Sequence, residues 1–297
     1  MLMGLSSYLL WGLFPLFFPL LEPATAFEIL AHRVLWTLVV VVIALLVRRR
    51  WAWVRSIVRD RRRLRILTVA SVVIAVNWGV YIWAVNHGHV VESALGYYIN
   101  PLVTVLLGVL VLRERLRPAQ WVAVALATCA VLALTIDLGR PPWIALVLAL
   151  SFATYGLMKN KVAMPALESL AVETFMLAIP AAVVLGAIES GGRGTFGAAH
   201  AHVSALLVSL GVVTAVPLLL FGAAASRVPL STMGLLQYLT PTLQFLIGLF
   251  VAHETMSTGR WVGFAAVWLA LIIFTLDSLH TVRGRQSAAV AVSSSGL

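Results

Sequence analysis

Amide and aromatic side chains interrupt two long apolar segments of this chain. Asn77, Trp78 and Tyr81 lie close together in one segment, and Tyr97 and Asn100 lie in the next. Residues four apart share a face of a helix, so a helix here would point Asn77 and Tyr81 the same way. Such side chains offer flat apolar area with a few hydrogen bonds, which suits the binding of a small organic molecule.

Two prolines mark the same kind of position in two segments. Asn100-Pro101 and Thr240-Pro241 both fall near the middle of an apolar stretch. Proline has no N–H, so it leaves the carbonyl four residues earlier without its helical partner. A packing kink would explain either proline alone, whereas the pair favours a central cavity. The residues predicted to line this cavity are Asn77, Trp78, Tyr81, Tyr97, Asn100, Pro101, Tyr155, Gln237, Tyr238 and Pro241.

Ionisable groups within the apolar segments are few. They are His32 and Arg33 in the second segment and Glu173 in the seventh. Such groups are costly in lipid and should face protein or water, which makes them candidates for gating, coupling or structural locking. If the two halves of the chain are inverted copies of one another, Arg33 and Glu173 lie near opposite surfaces of the membrane. We therefore expect no direct ion pair between them. A role for Glu173 in proton coupling is the less favoured alternative.

The elements that carry these residues must be membrane helices. Of the 297 residues 61% are hydrophobic and 11% charged, and the mean hydropathy is +1.00, which is too apolar for a soluble domain. About 20 apolar residues are needed to span the hydrocarbon core as a helix. The fold class is therefore all-α integral membrane. The predicted spans are 3–21, 27–47, 66–86, 92–112, 119–136, 143–158, 168–189, 203–225, 230–251 and 259–278.

The ten predicted spans form two copies of a five-helix unit. At an offset of 140 residues, Tyr98 aligns with Tyr238, Pro101 with Pro241, and Trp121 with Trp261, without a gap. Because five is odd, the second copy must enter the membrane from the opposite side, which gives an inverted repeat. We predict a first repeat at 1–140, a second at 141–280, and a disordered cytoplasmic tail at 281–297.

The positive charge of the chain sets its expected orientation. With a cytoplasmic amino terminus, 17 of the 21 Lys and Arg residues fall in inward loops or the tail, nine of them in the stretch 48–65. This bias is that of the positive-inside rule. It predicts that both termini are cytoplasmic, and it explains the net charge of +10 through contact with anionic lipid rather than nucleic acid.

Several motifs resemble those of a known family. Gly-x5-Glu at Gly108/Glu114 and again at Gly248/Glu254 is similar to the EamA-type drug/metabolite transporters. Two longer strings, Glu28-Ile-Leu-Ala-His-Arg-Val-Leu-Trp36 and Leu236-Gln-Tyr-Leu-Thr-Pro241, resemble its RarD branch. The resemblance implies a multi-pass permease of the bacterial inner membrane, associated with export of metabolites or drugs through a cavity open alternately to each side.

The residues and the resemblance together predict a secondary transporter of a small organic solute. A channel or membrane scaffold is the alternative. An intramembrane enzyme is disfavoured because the sequence has no Asp-rich motif, no His-Glu-x-x-His and no Gly-x-Ser-x-Gly. It also has no P-loop, so direct ATP drive within this chain is unsupported. We therefore predict no catalytic residues, no metal site and no cofactor. The partners are the solute and membrane lipid, and coupling to a proton or a counter-substrate is left open.

Overall fold

The structure is a computed structural model that describes residues 1–49, 51–113, 116–162, 164–225, 227 and 230–294. Every regular element in these ranges is helical, as predicted. The helices are α1 (Leu2–Gly12), α2 (Phe14–Phe17), α3 (Ala26–Arg48), α4 (Ala52–Arg59), α5 (Arg61–Asn86), α6 (Val90–Leu112), α7 (Pro118–Leu138), α8 (Trp143–Val162), α9 (Ala166–Ser190), α10 (Ala201–Ala225), α11 (Leu230–Leu236), α12 (Leu239–Phe250) and α13 (Thr258–Ser294), with 3-10 turns at Phe18–Leu21 and Ala198–His200.

Eight helices of the described chain are long and apolar enough to cross a membrane, or nine if the first, bent pair counts as one span. Large apolar side chains face outward along them, with Ile136 82% exposed and Ile179 74% exposed. Side chains of this kind on the outside of a helical bundle require a lipid surround. The chain is therefore a multi-pass membrane protein.

The predicted ninth span, 230–251, is interrupted. Its two helices, α11 and α12, are separated at Gln237 and Tyr238, so the count of ten spans remains a prediction. Pro241 is the third residue of α12 and not the centre of a continuous helix. Proline is tolerated in a first turn, where its missing N–H would have no partner, so the chain begins a new helix just before it. Pro101, in contrast, lies inside the continuous helix α6.

The predicted first span, 3–21, is also broken. Its two parts, Leu2–Gly12 and Phe14–Leu21, meet at an angle of 43°. Pro15 cannot donate to the carbonyl of Trp11, and Pro19 removes a second donor one turn later. The bend follows directly from these two prolines.

The two halves of the chain pack against each other rather than forming separate bodies. The main helix pairs are α3 with α9 and α10, α5 with α8 and α9, α6 with α8 and α12, α1 with α10 and α12, and α7 with α13. The largest apolar cluster accordingly joins Tyr98 and Leu134 to Phe245 and Phe264. Residues 1–140 and 141–280 therefore share one core.

Close contact between the halves depends on glycine at two places. A Cβ at Gly211 of α10 would lie 2.4 Å from the carbonyl oxygen of Trp36 in α3. A Cβ at Gly96 of α6 would lie 2.8 Å from the carbonyl oxygen of Ala145 in α8. Both obstacles are backbone atoms, which a side-chain movement cannot relieve.

Helix also occurs in two segments where no membrane span was predicted. The arginine-rich stretch 48–65 contains the short helix α4. The backbone of α13 is helical as far as Ser294, well into the segment predicted as a disordered tail. Alanine-rich sequence favours this helical continuation.

Candidate solute-binding site

Asn77 forms the centre of a polar cluster between α5, α6 and α8. It is 1% exposed, and its Nδ2 donates to the Leu148 carbonyl at 3.1 Å and to Ser151 Oγ at 2.9 Å. Its Oδ1 accepts from Tyr97 Oη at 3.1 Å. Fully bonded buried amides fix the orientation of their neighbours. Asn77 thus holds the ring of Tyr97 in place.

Tyr81 and Trp78 extend this cluster along the same face of α5. The Tyr81 ring packs edge-on against Tyr97 at 5.6 Å and against Phe18 at 5.9 Å. Tyr97 also meets Phe152 edge-on at 5.9 Å, and Phe152 is 38% exposed. A row of aromatic rings therefore runs from the buried Asn77 cluster to the partly exposed Phe152.

Arg33 lies beside this row of rings, at 4% exposure. Its guanidinium carbon is 4.2 Å from the ring centroid of Trp78, 5.4 Å from that of Phe14 and 5.9 Å from that of Phe18. Its Nε donates to Thr214 Oγ1 of α10 at 3.0 Å. The structure thus joins Arg33 to the predicted cavity residues Trp78, Tyr81 and Tyr97.

Glu173 belongs to a different, saturated network. Its Oε1 accepts from Lys159 Nζ at 2.8 Å and from Ser169 Oγ at 2.7 Å, and its Oε2 accepts from Tyr155 Oη at 3.0 Å. Lys159 also contacts Ser169. Tyr155, which we predicted to line the cavity, therefore anchors Glu173. As expected, Glu173 does not pair with Arg33.

His32 contacts the loop before α10. Its ring stacks on Phe196 at 4.8 Å. One turn earlier, Glu28 Oε1 accepts from both the N–H and Oγ1 of Thr195 at 2.8 Å. These contacts join the loop before α10 to the start of α3.

The remaining predicted residues do not join the Asn77 cluster in this structure. Asn100 accepts from Thr104 Oγ1 in its own helix at 3.4 Å, and Pro101 lies one position further along α6. Tyr238 packs with the cluster around Tyr98 and Phe264. Gln237 lies beside Tyr238 at the break between α11 and α12, and Pro241 is buried in the first turn of α12. Their contribution to a cavity stays a prediction.

Polar residues of α12 meet the backbone of the broken first span. Gln244 Nε2 donates to the Trp11 carbonyl at 3.3 Å, and Thr240 Oγ1 donates to that of Tyr8 at 2.9 Å. Pro15 cannot donate the usual helical bond to the Trp11 carbonyl, which accepts instead from a backbone N–H at the end of α1 and from Gln244. Side chains of the second half therefore satisfy the kink of the first, as irregular backbone within a membrane requires.

Glu254 lies in the loop before α13 and closes a contact that we did not predict. Its carboxylate accepts from the backbone N–H groups of Val90 and Val91. Glu254 thus caps α6, because the unpaired N–H groups and positive end of that helix attract a carboxylate. The corresponding residue Glu114 lies outside the described residues. Burial raises the pKa of Glu254 to about 6.

A cavity of about 340 Å³ lies beside this contact. Its lining includes Glu92, Glu254, Arg260 and Phe264. Nearby, Glu92 forms an ion pair with Arg140 at 2.8 Å and accepts from the N–H of Ile144 at 3.2 Å. These bonds hold together the ends of α6 and α8 and the loop before α13. This cavity is separate from the Asn77 cluster.

Several site residues were missed from the sequence. Thr214, Ser151 and Lys159 provide partners of the predicted residues. Ser169 does so too, and its position four residues before Glu173 was a signal visible in the sequence. The others come from distant segments. Their sequence positions indicated a role only in that each is a polar residue within a largely apolar segment.

The comparison with known proteins agrees with this arrangement. Residues 1–136 match the EamA-like transporter family. Protein RarD of Streptomyces exfoliatus is 56% identical over 95% of this chain and 90% of that protein. This chain belongs to the EamA-like transporter family. Protein RarD of Escherichia coli K12 is 42% identical, with 95% of each chain covered.

Two further similarities extend this assignment. Chloramphenicol-sensitive protein RarD of Pseudomonas aeruginosa is 30% identical over 95% of each chain. A crystal structure that is 20% identical, with a TM-score of 0.58 over 93% of this chain and 96% of that one, has the same fold. This member of the EamA-like family is thus a membrane transporter related to bacterial RarD proteins.

Proposed function

We propose that this protein is a secondary transporter that moves a small organic solute across the bacterial inner membrane by alternating access. The observation that carries the proposal is the buried cluster of Asn77, Tyr81, Tyr97, Trp78 and Arg33. It combines aromatic surface with a few fixed polar groups, as small-molecule sites do. It also lies where helices of both halves meet, which is where substrate sites of repeat-built transporters form.

The pairing of helices supports an inverted repeat. At the 140-residue offset, α3 corresponds to α9, α5 to α10, α6 to α11 and α12, α7 to α13, and α1 to α8. The contact of α1 with α10 then mirrors that of α8 with α5, and α1 with α12 mirrors α8 with α6. When each helix is exchanged for its equivalent in the other half, three further contacting pairs are unchanged: α3–α9, α6–α12 and α7–α13. A two-fold axis produces this pattern, and five spans per half place that axis in the membrane plane.

Alternating access is tested by counterflow in proteoliposomes. Vesicles loaded with unlabelled amino acids or chloramphenicol should accumulate the labelled solute transiently when one of these is the substrate. Saturation and counterflow are properties of a carrier that binds its substrate on each side in turn. A flux that neither saturates nor shows counterflow would indicate a channel. Export is the direction that the family resemblance favours.

The inverted topology predicts opposite locations for two equivalent residues. His87 and Arg227 are 140 positions apart, and both are exposed. In a background without Cys129, we expect His87→Cys to react with an impermeant maleimide added from outside. Arg227→Cys should react only after the membrane is opened. Labelling of both from the same side would contradict the inverted repeat and the cytoplasmic termini.

The contact of Glu254 with α6 predicts a pH dependence. The pKa of Glu254 in this contact is about 6, against an ordinary value of 4.5. The contact therefore binds a proton more tightly than an exposed Glu254 would, so it gains stability as the pH falls through 6 and loses it as the pH rises. As the pH is lowered from 7.5 to 4.5, the melting temperature of the wild type should rise relative to that of the Glu254→Gln variant. The melting temperature of the exposed control Glu189→Gln should change with pH as that of the wild type does. A difference in melting temperature between wild type and Glu254→Gln that does not change with pH would contradict the prediction.

A further inference from the structure

Arg33 is a buried cation whose partners are all uncharged. The four ion pairs formed by the described residues are Arg63–Asp60, Arg117–Asp277, Arg140–Glu92 and Lys159–Glu173, and none includes Arg33. Its contacts are the aromatic rings of Trp78, Phe14 and Phe18 and the hydroxyl of Thr214. The described residues thus supply no compensating negative charge.

The hydrogen-bonding capacity of Arg33 is mostly unused. A guanidinium has five N–H donors, and among the described residues only Nε has an acceptor, Thr214 Oγ1. The Nη groups form the planar fork that binds a carboxylate through two parallel hydrogen bonds. Cation–π contacts offset only part of the free energy needed to bury an unpaired ion. Among the described residues, no anionic side chain balances the charge of Arg33.

Glu173 occupies the position equivalent to Arg33 in the second half of the chain. Unlike Arg33, it has charged and hydrogen-bonding partners within the protein. Lys159 neutralises its charge, and Ser169 and Tyr155 occupy its oxygens. A structural lock has its partners within the protein. Since one of two equivalent charges is saturated and the other is not, we assign structural locking to Glu173 and ligand binding to Arg33.

A pair of buried polar side chains lies beside Arg33. Tyr81 Oη and Gln244 Oε1 are both buried, and within the described residues their one hydrogen-bonding interaction is a weak one with each other. Tyr81 and Tyr97 are within electrostatic range of the guanidinium, and Tyr81 and Gln244 face each other. Buried polar groups are normally paired. A bound ligand would complete the bonding of Arg33 and Tyr81 together.

We propose that Arg33 binds the carboxylate of the transported solute, with Tyr81 donating a further hydrogen bond to it. The substrate class is an organic monocarboxylate with an aromatic or branched apolar body. This inference rests on the proposed function. The single charge of Arg33 matches a monoanion, because no second cation of the described chain contacts the cluster. The rings of Trp78, Tyr97 and Phe152 provide apolar surface for the body of the ligand.

The experiment measures binding by thermal unfolding of the purified full-length protein. The probes are benzoate, 3-phenylpropanoate and 4-methylpentanoate, each beside its primary amide. A ligand that binds only the folded state raises the melting temperature. We expect at least one carboxylate to do so and its amide to have no such effect. Arg33→Gln should weaken the carboxylate's apparent Kd at least tenfold, and Arg33→Lys should weaken it less. The exposed control Arg193→Gln should match the wild type.

The melting temperature without ligand separates binding from structure. If Arg33 serves the ligand, Arg33→Gln removes an unpaired buried charge and should leave this temperature equal or higher. A large decrease, or failure of this variant to fold while Arg33→Lys binds carboxylates like the wild type, would show a structural role and overturn the proposal. Equal binding of acid and amide, or no binding of any carboxylate, would overturn it as well.

Transport and carboxylate recognition fail in different ways. A wild-type protein that shows counterflow but prefers the amides refutes the role of Arg33 and leaves the transporter assignment intact. Saturable, Arg33-dependent carboxylate binding without counterflow refutes alternating access and leaves the site intact.

Discussion

Replacement of Lys159 by methionine should lower the free energy of unfolding by about 3–5 kcal/mol, the usual cost of leaving one partner of a buried ion pair alone. Lys159 is the only cation that contacts Glu173 in the described structure, at 2.8 Å, and the Glu173 side chain is 2% exposed. Without Lys159, the carboxylate keeps only the hydroxyls of Tyr155 and Ser169. The measurement is thermal or denaturant unfolding of the purified protein.

A double replacement tests the cause of this loss. Lys159→Met with Glu173→Met removes both charges, and it should recover most of the stability because a buried pair and a well-packed apolar pair are often equivalent. Lys161→Met, at an exposed position two residues further on, should change stability by less than about 0.5 kcal/mol. Equal losses in the Lys161 and Lys159 variants would show that the ion pair is not the reason.

The same site decides the alternative of proton coupling. If Glu173 is a lock, a folded Glu173→Gln protein should keep transport that responds to a pH gradient. Loss of that response with the binding of solute unchanged would instead favour Glu173 as the coupling residue.

Gly211→Ala should separate α10 from α3 and destabilise the protein by about 1–3 kcal/mol, as overpacking of a close contact does. The new methyl group would lie 2.4 Å from the Trp36 carbonyl oxygen, and neither backbone can yield without moving a whole helix. Thr214 is one helical turn from Gly211, and it holds the Nε of Arg33. Solute binding should therefore weaken together with stability.

Gly186 provides the matched control. It lies within α9, and a Cβ there would meet nothing within 4 Å. Gly186→Ala should be neutral or stabilising by up to about 1 kcal/mol, because alanine has the higher helix propensity. Melting temperatures of the two variants should thus move in opposite directions. A Gly211→Ala protein as stable as the wild type would contradict the close approach of α3 and α10.

The breaks in the first and ninth predicted spans show the limit of hydropathy. Both segments are apolar enough to read as continuous spans, and the prolines at 15, 19 and 241 signal only a disturbance. Whether a proline is accommodated within a helix, as Pro101 is, or divides two helices depends on what satisfies the nearby backbone. Gln244 and Thr240 do so for Trp11 and Tyr8 from more than 200 residues away in sequence.

The sequence by itself determined the all-helical membrane class, the family, and the choice of Arg33, Asn77, Trp78, Tyr81 and Tyr97. This was possible because hydropathy and the cost of a polar group in lipid are local properties, which each segment displays alone. Only the tertiary structure decided that Tyr155 and Lys159 complete the bonding of Glu173, that Glu254 caps α6, and that Arg33 has no counter-ion among the described residues. Those facts depend on which helices of the two halves are neighbours, and pairing between distant segments leaves no mark in any one of them.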